Sequence, residues 1–341
     1  MKSVLRTFDE SKYNLTNRRI LVTGGTGSFG RAFVAHVLKT QKPERLIIFS
    51  RDELKQYEMA QEFPESEYPE IRYFIGDVRD IDRLEMAMRD TEIVIHAAAM
   101  KHVSAAEYNP FECIHTNVLG AENLVKAALR CGVEKVLALS TDKAVNPANL
   151  YGASKLASDK IFIAANRLAG VDGTRFAIVR YGNVVGSRGS VVPFFQKLLA
   201  NGAASLPVTD ERMTRFWITL PQAVDFVIQS FTDMTGGELY VPRIPSMKVT
   251  DLAEAIAPGA DMIEIGVRPG EKLHEEMIST EDSRRTIMQE GRYVVLPTLA
   301  EWGFTDPEGE QVPDGFSYSS NTNDLWLSVE GIRELMAQLE L

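Results

Sequence analysis

Leu21–Val22–Thr23–Gly24–Gly25–Thr26–Gly27–Ser28–Phe29–Gly30 decides the fold. An apolar run passes directly into a turn with glycines at 24, 27 and 30, and a helical pattern follows. Glycine permits the tight turn, lets backbone N–H groups reach a pyrophosphate, and lets the helix pack close to the sheet. A glycine-rich loop alone is weak evidence. Flanked by a strand and a helix, this one reads as a dinucleotide cradle built from Gly24, Thr26, Gly27, Ser28, Phe29 and Gly30.

Outward from that turn, short β-branched runs alternate with longer helical patterns. The runs are Arg19–Val22, Leu46–Phe49, Ile71–Ile75, Ile93–His96, Val136–Leu139 and Phe176–Arg180. Their near-continuous apolar character suits strands covered on both faces, so the prediction is an α/β fold with a doubly wound parallel Rossmann sheet. From about Gly186 the regularity fails: helix-like Val191–Leu199 leads to strand-like Arg215–Leu220, a helix opening at Pro221, and Leu239–Pro242. We therefore expect a nucleotide-binding domain over 1–185 and, over 186–341, mainly a smaller substrate-binding lobe interleaved with the last sheet elements. The tail beyond Leu296, rich in Gly, Pro, Asp and Glu, gives the weakest signal.

The 341 residues are 45% hydrophobic and 25% charged, ordinary for a globular enzyme with a sizeable core. A formal net charge of -10 argues against nucleic acid or an anionic membrane as partner, since both need clustered cations. No apolar run is long enough to span a bilayer and no N-terminal signal pattern precedes the fold, so the expected location is the cytoplasm. Cys113 and Cys131 show no disulfide or C-x-x-C pattern and read as reduced thiols. The histidines His36, His96, His102, His115 and His274 lack ligand spacing, so no metal is expected, and His96 reads as a hydrogen-bonded core residue. Phe194–Phe195, Phe216–Trp217, Met86 and Met88 read as packing.

The carboxylate that selects NAD stands about 20 residues past the glycine motif. This chain has Ser50 and Arg51 there, then Asp52. A hydroxyl and a guanidinium suit a 2′-phosphate, so NADP is the expected cofactor. The competing reading turns Arg51 to solvent and gives the ribose to Asp52. Asp77 and Val78, after the third strand, read as an adenine-edge contact, or alternatively as a helix cap.

The fifth strand runs into Ser140–Thr141–Asp142–Lys143, and eight residues beyond Lys143 stands Tyr151, with Lys155 at i+4. That spacing puts phenol and ammonium on one side of a helix, where the cation can lower the phenol pKa and hold the nicotinamide ribose.

With this pair in place the chain resembles the short-chain dehydrogenase/reductase superfamily. Ser140–Thr141–Asp142–Lys143–Ala144–Val145–Asn146–Pro147 and Asn149–Leu150–Tyr151–Gly152–Ala153–Ser154–Lys155 resemble the soluble UDP-N-acetylglucosamine 4,6-dehydratases, above all the C5-inverting type of pseudaminic acid and capsule pathways. Ser50–Lys55, Ala97–His102, Arg180–Ser190, Met213–Phe216 and Arg268–Lys272 are similar to that family too, so the likeness runs from about Arg19 to Thr286. It implies NADP, a UDP-N-acetylglucosamine substrate and a homo-oligomer. Ala97 and Ala98 would then face the cofactor, and Lys101, Asn183, Arg215 and Arg268 the substrate.

The implied chemistry oxidises the sugar at C4, removes water across C5 and C6, and returns the hydride to C6. Tyr151 would take the C4 hydroxyl proton, with Thr141 beside it. Retaining nucleotide-hexose dehydratases carry an Asp-Glu pair where this chain has Asp142–Lys143, which makes Lys143 the C5 base and Asp142 the C6 acid. Bringing a lysine from about 10.4 to about 7–8 needs roughly 3–5 kcal/mol of environmental bias. Burial and Lys155 would help and Asp142 would oppose; a structural ion pair is the competing reading. Membrane-bound relatives that retain C5 configuration usually have methionine at the position of Tyr151, so tyrosine implies inversion.

Overall fold

The structure is a computed structural model describing residues 14–187, 190–300 and 302–339. Arg188 and Gly189, part of the family likeness, and most of the polar lead before Arg19 lie outside the described residues.

The six expected strands form as β1 (Arg19–Thr23), β2 (Arg45–Ser50), β3 (Ile71–Ile75), β4 (Ile93–His96), β5 (Lys135–Thr141) and β6 (Arg175–Tyr181). They pair in parallel in the order β3-β2-β1-β4-β5-β6. Ile20, Leu21 and Val22 are wholly buried, as a strand covered on both faces requires. Helices α1 (Ser28–Thr40), α2 (Glu53–Glu62) and α3 (Ile81–Met88) follow the first three strands. After β4 come α4 (Val103–Tyr108), α5 (Pro110–Ile114), a π-helical turn at His115–Leu119 and α6 (Gly120–Cys131); α7 (Leu150–Ala169) follows β5. Because β1 leads toward β2 on one side while its other neighbour β4 leads to β5, a crevice opens at the carboxyl ends of β1 and β4, where doubly wound sheets bind ligands.

The rest of the chain both widens this sheet and builds small ones. In order it gives β7 (Asn183–Val184), α8 (Val191–Ala200), β8 (Ser205–Val208), β9 (Thr214–Ile218), α9 (Leu220–Asp233), β10 (Leu239–Pro242), β11 (Ser246–Lys248) and α10 (Val249–Ile256). Then come β12 (Asp261–Glu264), β13 (Glu276–Ile278), β14 (Thr286–Gln289), β15 (Arg292–Val295), β16 (Glu310–Gln311), β17 (Tyr318–Ser319) and α11 (Val329–Gln338). Strand β10 continues the sheet parallel to β6, and β15, β14 and β16 close it antiparallel. β11-β9-β7, β8-β12 and β13-β17 make the small sheets.

Several expected boundaries move by one or two residues, and one of these shifts has a clear local cause. The strand expected at Arg215–Leu220 ends at Ile218, because Thr219 and Gln222 form a capping box that starts α9. Thr219 accepts from the Gln222 amide at 3.2 Å, Gln222 accepts from the Thr219 amide at 3.0 Å, and Pro221 sits in the first turn. The main core runs through the large sheet: Phe162 on α7 packs near the Phe176 ring (centroids 6.3 Å) and the His96 ring (5.5 Å). A separate cluster joins Trp217, Leu252 and Ile332 and seats α10 against α11.

Candidate active site

A cleft of about 880 Å³ opens at the carboxyl ends of the parallel strands. Its nucleotide half is the glycine turn. Gly24 adopts φ +66°, and a Cβ there would lie 2.8 Å from the Ala98 amide nitrogen; one on Gly30 would meet the Gly25 carbonyl at 2.4 Å. Gly27 starts α1 with no side-chain cap and no acidic residue follows in the first turn, so backbone amides and the positive end of the helix dipole could receive an anion there. Thr26, Ser28, Phe29, Ala97, Ala98 and Val78 line the same half. These features fit a dinucleotide diphosphate.

Ser50 is buried, its hydroxyl accepting from Thr26 at 3.1 Å and from the Gln56 side chain at 3.3 Å. Asp52, the residue that would take an NAD ribose, caps α2: it accepts from the Lys55 amide at 3.0 Å and pairs with the Lys55 ammonium at 2.7 Å. Arg51 has 60% of its side chain exposed and stands 3.6 Å from the Asp77 carboxylate. Lys55 lines the cleft alongside Arg51, a second cation on this rim that the sequence reading passed over. Asp77 does not cap the next helix, since Asp80 does; burial raises the Asp77 carboxyl, and its bonds to Arg79 outweigh that and hold it low.

The candidate catalytic half lies where β5 runs out. Thr141 donates to Asp142 at 2.8 Å and its side chain is hydrogen-bonded to Tyr151. Asn149 caps α7, accepting from the Gly152 amide at 2.8 Å, and so sets the helix turn that presents Tyr151. Burial pushes the Tyr151 phenol up to about 12, against a downward pull from the Lys143 charge and the Thr141 bond. The Lys155 ammonium, expected to lower that pKa, donates to the Leu139 carbonyl at 2.8 Å, and the largest downward pull on the phenol comes from Lys143. Burial likewise pushes the Lys155 ammonium down, and Asp159 partly opposes.

Lys143 departs from expectation as well. Its ammonium lies 3.1 Å from Asp142 and 3.0 Å from Glu275. Burial pushes it down, but these two carboxylates win and raise it above the ordinary lysine value. In the ligand-free fold Lys143 is an ammonium.

Lys101 and Asn183 line the cleft, and burial pushes the Lys101 ammonium down. Arg215 and Arg268 do not line it. The Arg215 guanidinium donates to the carbonyls of Thr214 (2.8 Å), Leu273 (3.0 Å) and Lys272 (3.1 Å), while Arg268 is 62% exposed beside Glu271. Residues unforeseen from sequence also shape the site. Asn117, presented by the π-helical turn, bonds the Met100 amide (2.8 Å) and carbonyl (3.0 Å) and Ser154 (2.9 Å), fixing the strand-end segment beside α7. A π-turn has no sequence signature that would have pointed to it. Among the described residues, no group of three or more His, Cys, Asp or Glu could hold a metal ion. None of the described helices is long and apolar enough to cross a membrane.

A doubly wound sheet with a glycine cradle and a Tyr-x-x-x-Lys helix facing one cleft defines an extended short-chain dehydrogenase/reductase. The model of a family described as "Polysaccharide biosynthesis protein" matches residues 20–297. The chain belongs to that family and, within it, groups with curated UDP-N-acetylglucosamine 4,6-dehydratases. It is 56% identical over 334 residues, 95% of this chain and 98% of the relative, to the inverting UDP-N-acetylglucosamine 4,6-dehydratase of Campylobacter jejuni. Among solved structures it is similar to Pen from Bacillus thuringiensis, with a TM-score of 0.88 at 35% identity, covering 96% of this chain and 99% of that one. It is also similar to the dTDP-glucose 4,6-dehydratase DesIV from Streptomyces venezuelae with NAD bound, with a TM-score of 0.66 at 25% identity, covering 75% and 86%.

Proposed function

We propose that this protein is an NADP-dependent hydro-lyase that converts UDP-N-acetylglucosamine to its 4-keto-6-deoxy derivative with inversion at C5. The observation that carries this reading is the near end-to-end 56% identity to an inverting dehydratase, in a chain whose Tyr151, Asp142 and Lys143 share one cleft. Held by the glycine turn and Lys155, a bound nicotinamide would supply the acceptor for the C4 hydride and the donor that gives it back at C6. Tyr151 accepts the C4 hydroxyl proton. The ketone so formed acidifies the C5 proton, which the Lys143 amine removes, while Asp142 protonates the departing C6 oxygen. Configuration inverts when a proton returns to C5 from the opposite face. Two protons leave the sugar, from O4 and C5, and two are delivered, to the leaving oxygen and to C5, so only water is lost.

The Lys143 ammonium must lose its proton before it can act, and Asp142 and Glu275 oppose that loss. The C5 step accordingly speeds up as pH rises. NADP is preferred on the ground that Arg51 and Lys55 rim the cleft while Asp52 is engaged in its own helix cap. Arg215 and Arg268 are assigned to the substrate diphosphate by the family likeness, which also supports a homo-oligomer, and a cytoplasmic location is proposed from the absence of a long apolar run in the chain. Redox balance tests the reaction class. With catalytic enzyme and trace NADP⁺, product should greatly exceed total cofactor, whereas stoichiometric NADPH would mark a simple dehydrogenase.

A further inference from the structure

Glu275 stands just before β13 and is 2% exposed. Its Oε1 lies 3.0 Å from the Lys143 ammonium and 3.8 Å from the Arg215 guanidinium, and its Oε2 is buried without a hydrogen-bond partner. A carboxylate taken this far out of water persists only where cations hold it. Its backbone is anchored from the far side: the Glu275 amide donates to the Ser320 hydroxyl at 2.9 Å, and the Ser320 amide donates to the Glu275 carbonyl at 2.8 Å.

The same stretch grips the loop that carries Lys143. Lys272 donates to the Val145 carbonyl at 2.5 Å, and Asn146 donates to Glu276 at 2.7 Å. Asn146 itself holds φ +41°, a left-handed conformation that a polar tie helps to keep. The direction of the Lys143 side chain is thus fixed at its root by this loop and at its tip by Glu275.

We propose that Glu275 is a positioning residue for Lys143: its carboxylate aims the Lys143 nitrogen and, with Asp142, fixes the charge state from which the C5 base must be drawn. The base role of Lys143 rests on the function proposed above; the Glu275–Lys143 coupling does not. The charged and titratable groups facing Lys143 are Asp142 from its own turn, Glu275 from the β13 approach, Arg215 from β9 and Tyr151 from α7. Neutralising Glu275 leaves one carboxylate against one guanidinium, with burial still disfavouring the ammonium. Lys143 should then titrate at lower pH, by roughly 1 to 3 pH units for an opposite charge this close.

The test is competitive acylation of Lys143 by acetic anhydride across pH in the full ligand-free chain, read by mass spectrometry of the peptide bearing Lys143. The Glu275→Gln curve should lie about 1 to 3 pH units acidward of the wild-type curve. Superimposable curves overturn the proposal. If the Gln variant does not fold, Glu275→Asp decides: drawing the carboxylate back by one methylene should move the curve the same way by less, and an unmoved curve again overturns it. During turnover, the ascending limb of kcat, where the rate rises with pH, should shift acidward by the same amount as the labelling curve, at little change in KM. A labelling curve that shifts while the limb stays supports the coupling and shows instead that Lys143 is not the C5 base, so the two readings fail separately.

Discussion

Replacing Arg51 by alanine removes a cation from the cleft rim without disturbing the turn beneath it, where Ser50 stays bonded to Thr26 and Gln56. A hydrogen bond to a charged group contributes about 1.5–3 kcal/mol. Arg51 keeps 60% of its side chain in solvent, so screening brings the contribution to the bottom of that range or just below it, about 1–1.5 kcal/mol. That corresponds to an increase of roughly 5- to 12-fold in Kd for NADP⁺. Arg51→Glu replaces attraction by repulsion and should roughly double the free-energy loss, to about 30- to 150-fold. NAD⁺ lacks the 2′-phosphate, so its Kd should change little in the alanine variant. Calorimetric titration of both cofactors at two salt concentrations makes the comparison, and the difference should narrow near 1 M salt, where the screening length falls to about 3 Å. Equal losses for NADP⁺ and NAD⁺ would remove Arg51 from the cofactor site.

Tyr151→Phe should abolish the transient reduced-nicotinamide absorbance on mixing with substrate, because nothing then accepts the C4 hydroxyl proton. A persisting transient would assign that proton to another group. Lys143→Gln should leave C4 oxidation but halt the next step, giving bound reduced cofactor and a 4-keto sugar without solvent deuterium at C5; a positioned base is worth about 10²–10⁴-fold. Turnover within a few-fold of wild type would instead leave Lys143 as a structural ion pair. For stability, burial pushes the His96 imidazole down to about 3, so the folded state stays neutral while the unfolded chain takes a proton as pH falls through 6.5. Stability contributed by neutral His96 is therefore lost between about 6.5 and 3, and the urea midpoint should fall more from pH 7 to pH 5 in wild type than in His96→Asn. Parallel falls would contradict the burial argument.

Much of the sheet could be read directly from the chain. β1 to β6 each match a short β-branched run, and β3, β4 and β10 match to the residue, because strands buried on both faces leave an unbroken apolar signature. The later strands β14, β15 and β16 left a weaker trace: they close the sheet edge antiparallel as short runs bounded by Thr286, Gln289, Arg292 and Glu310. Likewise α11 lay in the tail whose Gly, Pro and acidic content hid it, although Ser328 caps it in the usual way, accepting from the Gly331 amide at 3.2 Å.

For the site, motifs gave the residues that lie near one another in sequence: the glycine turn, Ser50–Arg51, Thr141–Lys143 and Tyr151–Lys155 all line one cleft. Electrostatics could not be read the same way. Glu275 reaches Lys143 across 132 residues of chain, and only the docking of the 268–278 stretch on the strand-end loop brings them together. Together with the neighbouring Asp142, that long-range carboxylate reverses the direction in which Lys143 was expected to shift.

The most direct measurement is incubation with UDP-N-acetylglucosamine and NADP⁺ in deuterated water, with the product read by NMR. The expected product has a C6 methyl group, a C4 ketone, one solvent deuterium at C5 and the L-arabino configuration. A product that keeps the C6 oxygen would make the protein an epimerase or a simple dehydrogenase, and a 6-deoxy product with C5 configuration retained would contradict inversion.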